Sequence, residues 1–448
     1  MKILSLFANV GFGEFYLRDE GFDVAVANEL LEDRVDFYKK LHPDTQSVIC
    51  GDISQTSIQN SIIESCNKFG PIDVVVATPP CQGMSLANAS KASDDPRNTL
   101  IIHALDIFNK VGAKYMLIEN VTNMPNTYIH HKDYGSIQIS EFIKKSIPTN
   151  LKSHSSILNG KHFDTPQDRR RSITLISPDG SWKFPKINEE ETSLESAISH
   201  LPSLKPAESS EYKWHFSSKH NPNHMDWMRN TPSGQSAYFN ELDHYPCSII
   251  ENSSSDTKLE LIKNGNKGWH KNPPIVINGD GSKCRATINQ VMENGKCVLY
   301  AEIPPNCSLV REIYGFTTAY KRMNWLKSAP TVTMTNGSIS SQNNVHPGRE
   351  IKGSDGLYSD ARVLTVREVL LVCGLPPDIL DRFAHEVQDG IKYEFTSGKY
   401  GYDYSPSFIR KVLGELFLPK VCLAIMKSLP KDRKRKANNP TQLEFNYA

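Results

Sequence analysis

Asp73-Val74-Val75-Val76-Ala77-Thr78-Pro79-Pro80-Cys81-Gln82-Gly83-Met84-Ser85 decides the fold. Its apolar first half predicts a buried strand, and its second half cannot extend one. Two prolines stiffen the chain and Gly83 permits a sharp turn, so Cys81 is presented over the strand's end instead of being folded into the core. A free cysteine is ordinarily a small buried hydrophobe. Between Pro80 and Gln82 it reads as a nucleophile.

Working outward, residues 2–7, 23–28, 47–50 and 115–119 have the same character, and the last three runs end in a polar or small residue. Strands alternating with helical stretches predict an α/β fold, a Rossmann-like doubly wound sheet. Ligands of such sheets sit beyond the carboxyl ends of the strands, which sends the search for chemistry to those loops. At 448 residues the chain exceeds what one core supports, roughly 250–300 residues, so a second domain is expected. Its character changes near Pro185: to residue 342 it is rich in Ser, Asn, Pro, Trp and Tyr with weak helical periodicity, which predicts a smaller, loop-rich domain. Helical signals return at Thr365-Val366-Arg367-Glu368, with Thr365 placed as a cap and Glu368 three residues on. Residues 407–429, carrying Pro419, form a second helical stretch. The expected division is 1–184, 185–342, 343–430 returning to the first domain, and a basic, polar tail at 431–448.

Composition excludes little. The hydrophobic share of 38% and charged share of 23% suit a soluble enzyme. A net charge of +1 is silent on nucleic acid, which is met by a local basic face and not by a sum. Nine cysteines without a C-x-x-C pair argue against a disulfide framework and a zinc site, and His215, His220 and His224 read as loop histidines. No apolar run reaches the ~20 residues that span a bilayer, and the start carries no cleavage site; a cytoplasmic protein without membrane attachment is expected.

After the first strand, Phe7-Ala8-Asn9-Val10-Gly11-Phe12-Gly13-Glu14 is a turn with two glycines, suited to close approach of a ligand. It is not the full dinucleotide fingerprint, because Tyr16 stands where the third glycine would fall. Glu29 closes the second strand, where an acid accepts ribose hydroxyls, and Asp52-Ile53 closes the third with a carboxylate and an apolar side chain for an adenine. Singly, each acid reads equally well as a helix cap. Together, on successive strand ends, they favour an adenosine cofactor. The fifth strand delivers Glu119-Asn120-Val121, and an acid placed directly after a buried strand is costly unless it has work or a partner. If the fourth and fifth strands are neighbours, ~4.8 Å apart, Cys81 and Glu119 can address one small ring. In Gln167-Asp168-Arg169-Arg170-Arg171, extended backbone puts Gln167, Arg169 and Arg171 on one face, although three consecutive arginines read most simply as an exposed basic strand.

The ordered set Phe7-Ala8-x-x-Gly11-x-Gly13, Pro80-Cys81-Gln82-Gly83-x-Ser85, Glu119-Asn120-Val121 and Gln167-x-Arg169-x-Arg171 resembles the DNA (cytosine-5) methyltransferases, above all bacterial modification enzymes of restriction-modification systems. The resemblance covers the first 180 residues and resumes at Arg362-x-Leu364-Thr365-x-Arg367-Glu368. It implies methyl transfer from S-adenosylmethionine to C5 of cytosine in double-stranded DNA by a monomeric enzyme without a metal, with S-adenosylhomocysteine as product. Cys81 carries over as the nucleophile, Glu119 as the acid that recognises the base, and Arg169 with Arg171 as partners of cytosine O2 and the nearby backbone. Phe7, Ala8, Asn9, Gly11, Gly13, Glu29, Leu30, Asp52, Ile53, Pro79 and Leu100 carry over as cofactor contacts. Pro80, Gln82, Ser85, Asn120, Val121 and Gln167 carry over to the substrate side. Near the end, Gly414-Glu415-Leu416-Phe417-Leu418-Pro419 departs from the family pattern, with Glu415 where Asn is expected.

The chemistry explains the residue types. Thiolate addition at C6 turns the ring into an enamine whose C5 is nucleophilic, and an acid on the Watson–Crick edge neutralises the charge that develops. The base must leave the stack first, at roughly a few kcal/mol. The small, polar stretch 86–96 is expected to close over it. The region 185–342 is the candidate for reading sequence, with Trp214, Trp227, Arg229, Trp269, Arg285, Lys321, Arg322 and Trp325 suited to phosphate and base-edge contacts. Three rival readings are weaker: a transfer-RNA cytosine-5 methyltransferase, which predicts a short insertion and a Cys-Phe-Thr triplet that the chain lacks; a catalytically silent DNA-binding module, which predicts loss of Cys81 or Glu119; and a nicotinamide-dependent oxidoreductase, disfavoured by the incomplete glycine fingerprint and the Pro-Pro-Cys-Gln element.

Overall fold

The computed structural model describes residues 1–80, 96–240, 247–251, 257–260, 275–277, 280, 282–285, 287–293, 296–303, 308–312, 320–339, 345–388 and 391–430. Two compact units emerge: Met1–Thr165, Arg169–Glu190 and the described residues from Leu416 onward make the first, and Pro166–Asp168 with Glu191–Glu415 the second.

The first unit runs β1 (Lys2–Leu6), β2 (Asp23–Glu29), α1 (Glu32–Leu41), β3 (Ser47–Cys50), α2 (Thr56–Phe69), β4 (Val74–Ala77), α3 (Leu100–Val111), β5 (Tyr115–Asn120), a hairpin of β6 (Tyr128–His131) and β7 (Gly135–Gln138), α4 (Ile139–Ser146) and β8 (Leu151–Asn159). After the short β9 (Gln167–Asp168), which belongs to the other unit, β10 (Arg170–Pro178) completes the sheet. The strand order is β3-β2-β1-β4-β5-β10-β8, with β10 antiparallel to both neighbours. Every residue of β4 and β5 is buried, so both faces are covered and the strands read as unbroken apolar runs. One cover is α3, which buries Ile101, Ala104, Leu105, Ile107 and Phe108 along one stripe and stops at Gly112, whose φ of 64° only glycine adopts freely. The chain winds from β1 outward to β3 and then returns to β4 and outward the other way. The direction therefore switches between β1 and β4, and a crevice opens beyond their carboxyl ends.

The second unit contains α5 (Leu194–Ile198), α6 (Pro222–Arg229), seven strands β11 (Cys247–Glu251), β12 (Thr257–Glu260), β13 (Ile275–Ile277), β14 (Lys283–Arg285), β15 (Ile288–Glu293), β16 (Lys296–Ile303) and β17 (Ser308–Glu312), then β18 (Ala329–Pro330) and α7 (Val366–Val372). It ends with β19 (Ala384–Glu386), β20 (Phe395–Ser397), β21 (Tyr400–Tyr402) and α8 (Pro406–Glu415). The apolar runs that looked irregular in sequence are the strands of two sheets, β11-β17-β13-β14 and β12-β16-β15. Thr365 and Glu368 form the expected capping box on α7. Glu368 also anchors a buried ion network. Arg362 Nη1 donates to it at 2.8 Å and Nη2 to Asp360 at 2.7 Å, while the rings of His346 and His215 face it at 3.4 and 3.6 Å. Burial alone would raise the Glu368 carboxyl; the Arg362 guanidinium outweighs that and holds it well below the carboxylate range.

Three of the side chains suited to DNA contacts are spent inside this unit, for the two tryptophans the ordinary role of that residue type. Trp214 and Trp227 are core, the indole of Trp214 donating to the Leu380 carbonyl at 3.0 Å, and Arg322 is fully buried, donating to the carbonyls of Met228 and His346 at 2.7 and 2.9 Å. The stretch 407–429 is two helices and not one. α8 stops at Glu415, and α9 (Pro419–Lys427) starts afresh with Pro419 at its first turn, where the missing N–H costs nothing. No helix among the described residues is long and apolar enough to cross a membrane.

Candidate active site

The crevice between β1 and β4 is walled by two turns. On the β1 side, Phe7, Asn9 and Gly11 all lie at positive φ (59°, 51° and 80°), a tight left-handed passage that turns the backbone over the sheet. It is pinned from outside: the Ala8 amide donates to the Asn28 carbonyl at 2.9 Å, the Asn9 amide to Glu29 Oε2 at 2.9 Å, and the Gly11 carbonyl lies 2.9 Å from His42 Nε2. The need for glycine at position 11 is steric as well, since a Cβ there would stand 2.5 Å from the His42 ring. Gly13 has no unusual φ; its role is close approach, with Phe417 where a side chain would go.

Glu29 combines the two roles weighed from sequence. Its Oε1 accepts the Leu31 amide at 3.1 Å, at the start of α1, and its Oε2 holds the turn. A carboxylate offers about four lone-pair sites, so both oxygens can still accept a ribose hydroxyl. Asp52 accepts the Ser54 amide at 2.9 Å just before α2. Asn28, which attracted no attention in sequence, reaches from β2 to the carbonyls of Ile49 and Gly51, both at 3.1 Å, and locks the second and third strand ends together. Ile53 is 3% exposed, within the core beneath the sheet, whereas Leu30 is 58% exposed. Leu100 opens α3 and packs half-buried on that core. A turn at the switch point with carboxylates beyond β2 and β3 is the donor set an adenosine cofactor requires.

On the other side, β4 leads into Thr78-Pro79-Pro80, and the Thr78 hydroxyl donates to the Phe7 carbonyl at 3.0 Å, joining the two walls. Pro79 is buried and Pro80 half-buried. Cys81, Gln82 and Ser85, and the expected lid up to residue 95, lie outside the described residues. β4 and β5 are adjacent and parallel, with Ala77 beside Ile118, so Glu119 emerges next to the path toward Cys81. Asn120 fixes that path: its side-chain amide donates to the Pro79 carbonyl at 2.9 Å, and its oxygen accepts the Val121 amide at 2.8 Å.

Glu119 is buried and faces Arg171, whose Nε lies 3.1 Å from Oε1. Burial raises its carboxyl above the ordinary range, and the charges of Arg171 and Arg169 only partly offset this. The result is an acid biased to keep a proton while remaining oriented. β10 supplies the geometry by running antiparallel to β5, with Ile173 opposite Glu119. The ladder is interrupted at Arg169, between β9, which ends at Asp168, and β10, which begins at Arg170. Burial still alternates there, with Arg169 buried, Arg170 exposed and Arg171 half-buried. Arg169 is buried in the first unit and donates to the Leu416 carbonyl at 3.1 Å. Gln167 is fully buried in the second, where its amide donates to the Val372 carbonyl and Cys373 Sγ, both at 3.4 Å, and its oxygen accepts the Val332 amide at 3.2 Å.

The family model C-5 cytosine-specific DNA methylase matches residues 1–398. The chain belongs to that family. Among the relatives of this cytosine methylase is the Type II methyltransferase M1.HgaI of Avibacterium volantium, 33% identical over 378 residues, covering 83% of this chain and 87% of the relative. The Type II methyltransferase M.AquIA of Picosynechococcus sp. is 34% identical over 193 residues, 41% of this chain and 75% of that one. A crystal structure described as a DNA modification methyltransferase encoded within an E. coli prophage superposes with a TM-score of 0.51 at 17% identity, over 96% of this methylase and 98% of the other chain, a likeness of fold. Cytosine-C5 DNA methylases draw their methyl group from S-adenosylmethionine.

Proposed function

We propose that the chain methylates C5 of a cytosine flipped out of a specific site in double-stranded DNA, with Cys81 as nucleophile and Glu119 as the acid on the base. One observation carries this reading: a buried carboxyl, raised by burial and oriented by Arg171, on the strand adjacent to the one that leads into Pro79-Pro80-Cys81. A protonated Glu119 can donate to N3 while the Cys81 thiolate adds to C6, so the charge pushed into the ring is met as it forms. Arg171 keeps the carboxyl aimed, and a guanidinium suits the planar carbonyl edge of the base better than an ammonium. Asn120, through the Pro79 carbonyl, holds the approach to Cys81 in register with Glu119. Phe7–Gly13, Glu29 and Asp52 would hold S-adenosylmethionine, which supplies an electrophilic methyl group when bound. Loss of the C5 proton and release of the cysteine then restore the aromatic ring.

The names of the relatives support the modification half of a restriction-modification system, and the second unit is the candidate reader of sequence. A duplex carrying 5-fluorocytosine in the recognised site tests the chemistry: it should trap a covalent adduct that disappears in Cys81→Ala, and no adduct with the wild type rejects the mechanism. Bisulfite sequencing of DNA from expressing cells gives the site, and methyl transfer from labelled cofactor to duplex DNA in preference to total transfer RNA settles the polymer.

A further inference from the structure

Glu14 is a carboxyl that the proposed chemistry does not use. It closes the single 3-10 turn Phe12–Glu14 directly after the glycine turn and is 7% exposed. The Ser5 hydroxyl on β1 donates to one of its oxygens, and the Tyr38 hydroxyl on α1 donates to the other at 3.2 Å. The strand that leads into the glycine turn and the helix that follows β2 are thus joined through one side chain. Tyr38 in turn packs against His42, ring centroids 4.9 Å apart, and His42 holds the Gly11 carbonyl. The remaining titratable group facing Glu14 is the Cys422 thiol on α9, which burial and then the charges of Glu14 and Glu119 push up. No ion pair to Glu14 is present among the described residues. A buried carboxyl without a cation is expensive, and glutamine would avoid that cost but could accept only one of the two hydroxyls.

We propose that Glu14 is a positioning residue of the cofactor turn, tying β1 to α1 beneath it, and that the turn's affinity for the cofactor changes as this carboxyl gains or loses its proton. The proposal rests on the assignment of Phe7–Gly13 to the cofactor. Burial pushes the Glu14 carboxyl up to about 7, against the two hydroxyl hydrogen bonds, so the group changes state near neutral pH. The ionised form accepts from Ser5 and Tyr38 at once; the protonated form must turn one oxygen into a donor and loosens one tie. Negative charge beneath the turn also favours a sulfonium-bearing ligand. The sign follows: affinity rises as pH rises through the midpoint.

The test is titration calorimetry of S-adenosylmethionine against the full chain. From about pH 6 to about pH 8 the wild-type dissociation constant should fall roughly threefold or more, with proton release on binding, and Glu14→Gln should bind with a flat profile and without that release. Tyr38→Phe, which removes a hydrogen bond from the ionised form, should move the midpoint up. A pH slope retained in Glu14→Gln overturns the proposal, as does a slope that disappears only in His42→Gln. Failure to bind the cofactor at any pH would instead sink the cofactor assignment, an outcome distinct from tight but pH-independent binding.

Discussion

Glu119 is where opposing forces on a single atom pair set the chemistry: burial favours the neutral acid, and Arg171 at 3.1 Å favours the anion. Glu119→Gln retains shape but not acidity, and turnover should fall roughly 10²–10⁴-fold while S-adenosylmethionine still binds with wild-type affinity, measured by calorimetry. If the neutral form is the active one, kcat/KM for DNA declines as pH rises through the Glu119 pKa. Arg171→Ala removes a charge that lowers that pKa, so the alkaline limb should shift to higher pH as the rate drops; a limb that stays put assigns it to another group. Glu14 has a separate consequence for folding. Burial pushes its carboxyl from the ordinary 4.5 up to about 7, so the folded state holds more protons between those values, and the stability it confers in acid is lost as pH rises through about 7. Urea midpoints should show a loss on the order of 3 kcal/mol across that window in the wild type and not in Glu14→Gln.

Among the elements, α7 separates two contributions that sequence alone would merge. Thr365 is only a cap, and Thr365→Ala should cost about 1 kcal/mol in urea unfolding. Glu368 both completes the capping box and neutralises Arg362, so Glu368→Ala leaves a buried guanidinium short of a carboxylate and should cost about 3–5 kcal/mol. Comparable losses for the two would mean that the ion network contributes nothing. The capping box was legible because its residues are local. Arg322 was not legible as a core residue, since the carbonyls it binds, on Met228 and His346, lie far along the chain, whereas Arg362 has Asp360 and Glu368 close by in sequence but nothing there announces that all three are buried. Asn294-Gly295 separates Ile288–Glu293 from Lys296–Ile303 in sequence, a strong hairpin signal, and those two strands are paired antiparallel. Pro419 likewise marked a helix start and was read as an interior residue.

For the whole molecule, the parallel half of the sheet was readable because strands covered on both faces must be apolar throughout, and the site followed from the strand ends. The arginine segment was harder, because Arg169 and Arg171 belong to one unit and Gln167 to the other, and periodicity carries no sign of such a boundary. Replacing residues 185–342 by the matching segment of a relative should move the methylated sequence, scored by bisulfite sequencing, and leave cofactor affinity unchanged. Unaltered specificity would reject that segment as the reader.

The first unit is not contiguous. Trp182, buried beside Tyr115, has its indole N–H satisfied at 3.1 Å by the Ile425 carbonyl of α9, and Lys420 donates to the Asp164 carbonyl at 2.8 Å. A nascent polypeptide leaving the ribosome therefore cannot finish its catalytic half until the other half has been translated and α9 has emerged. Chains truncated before Pro419 should therefore transfer no methyl group, a loss that methylation assays of truncated and full-length protein would read.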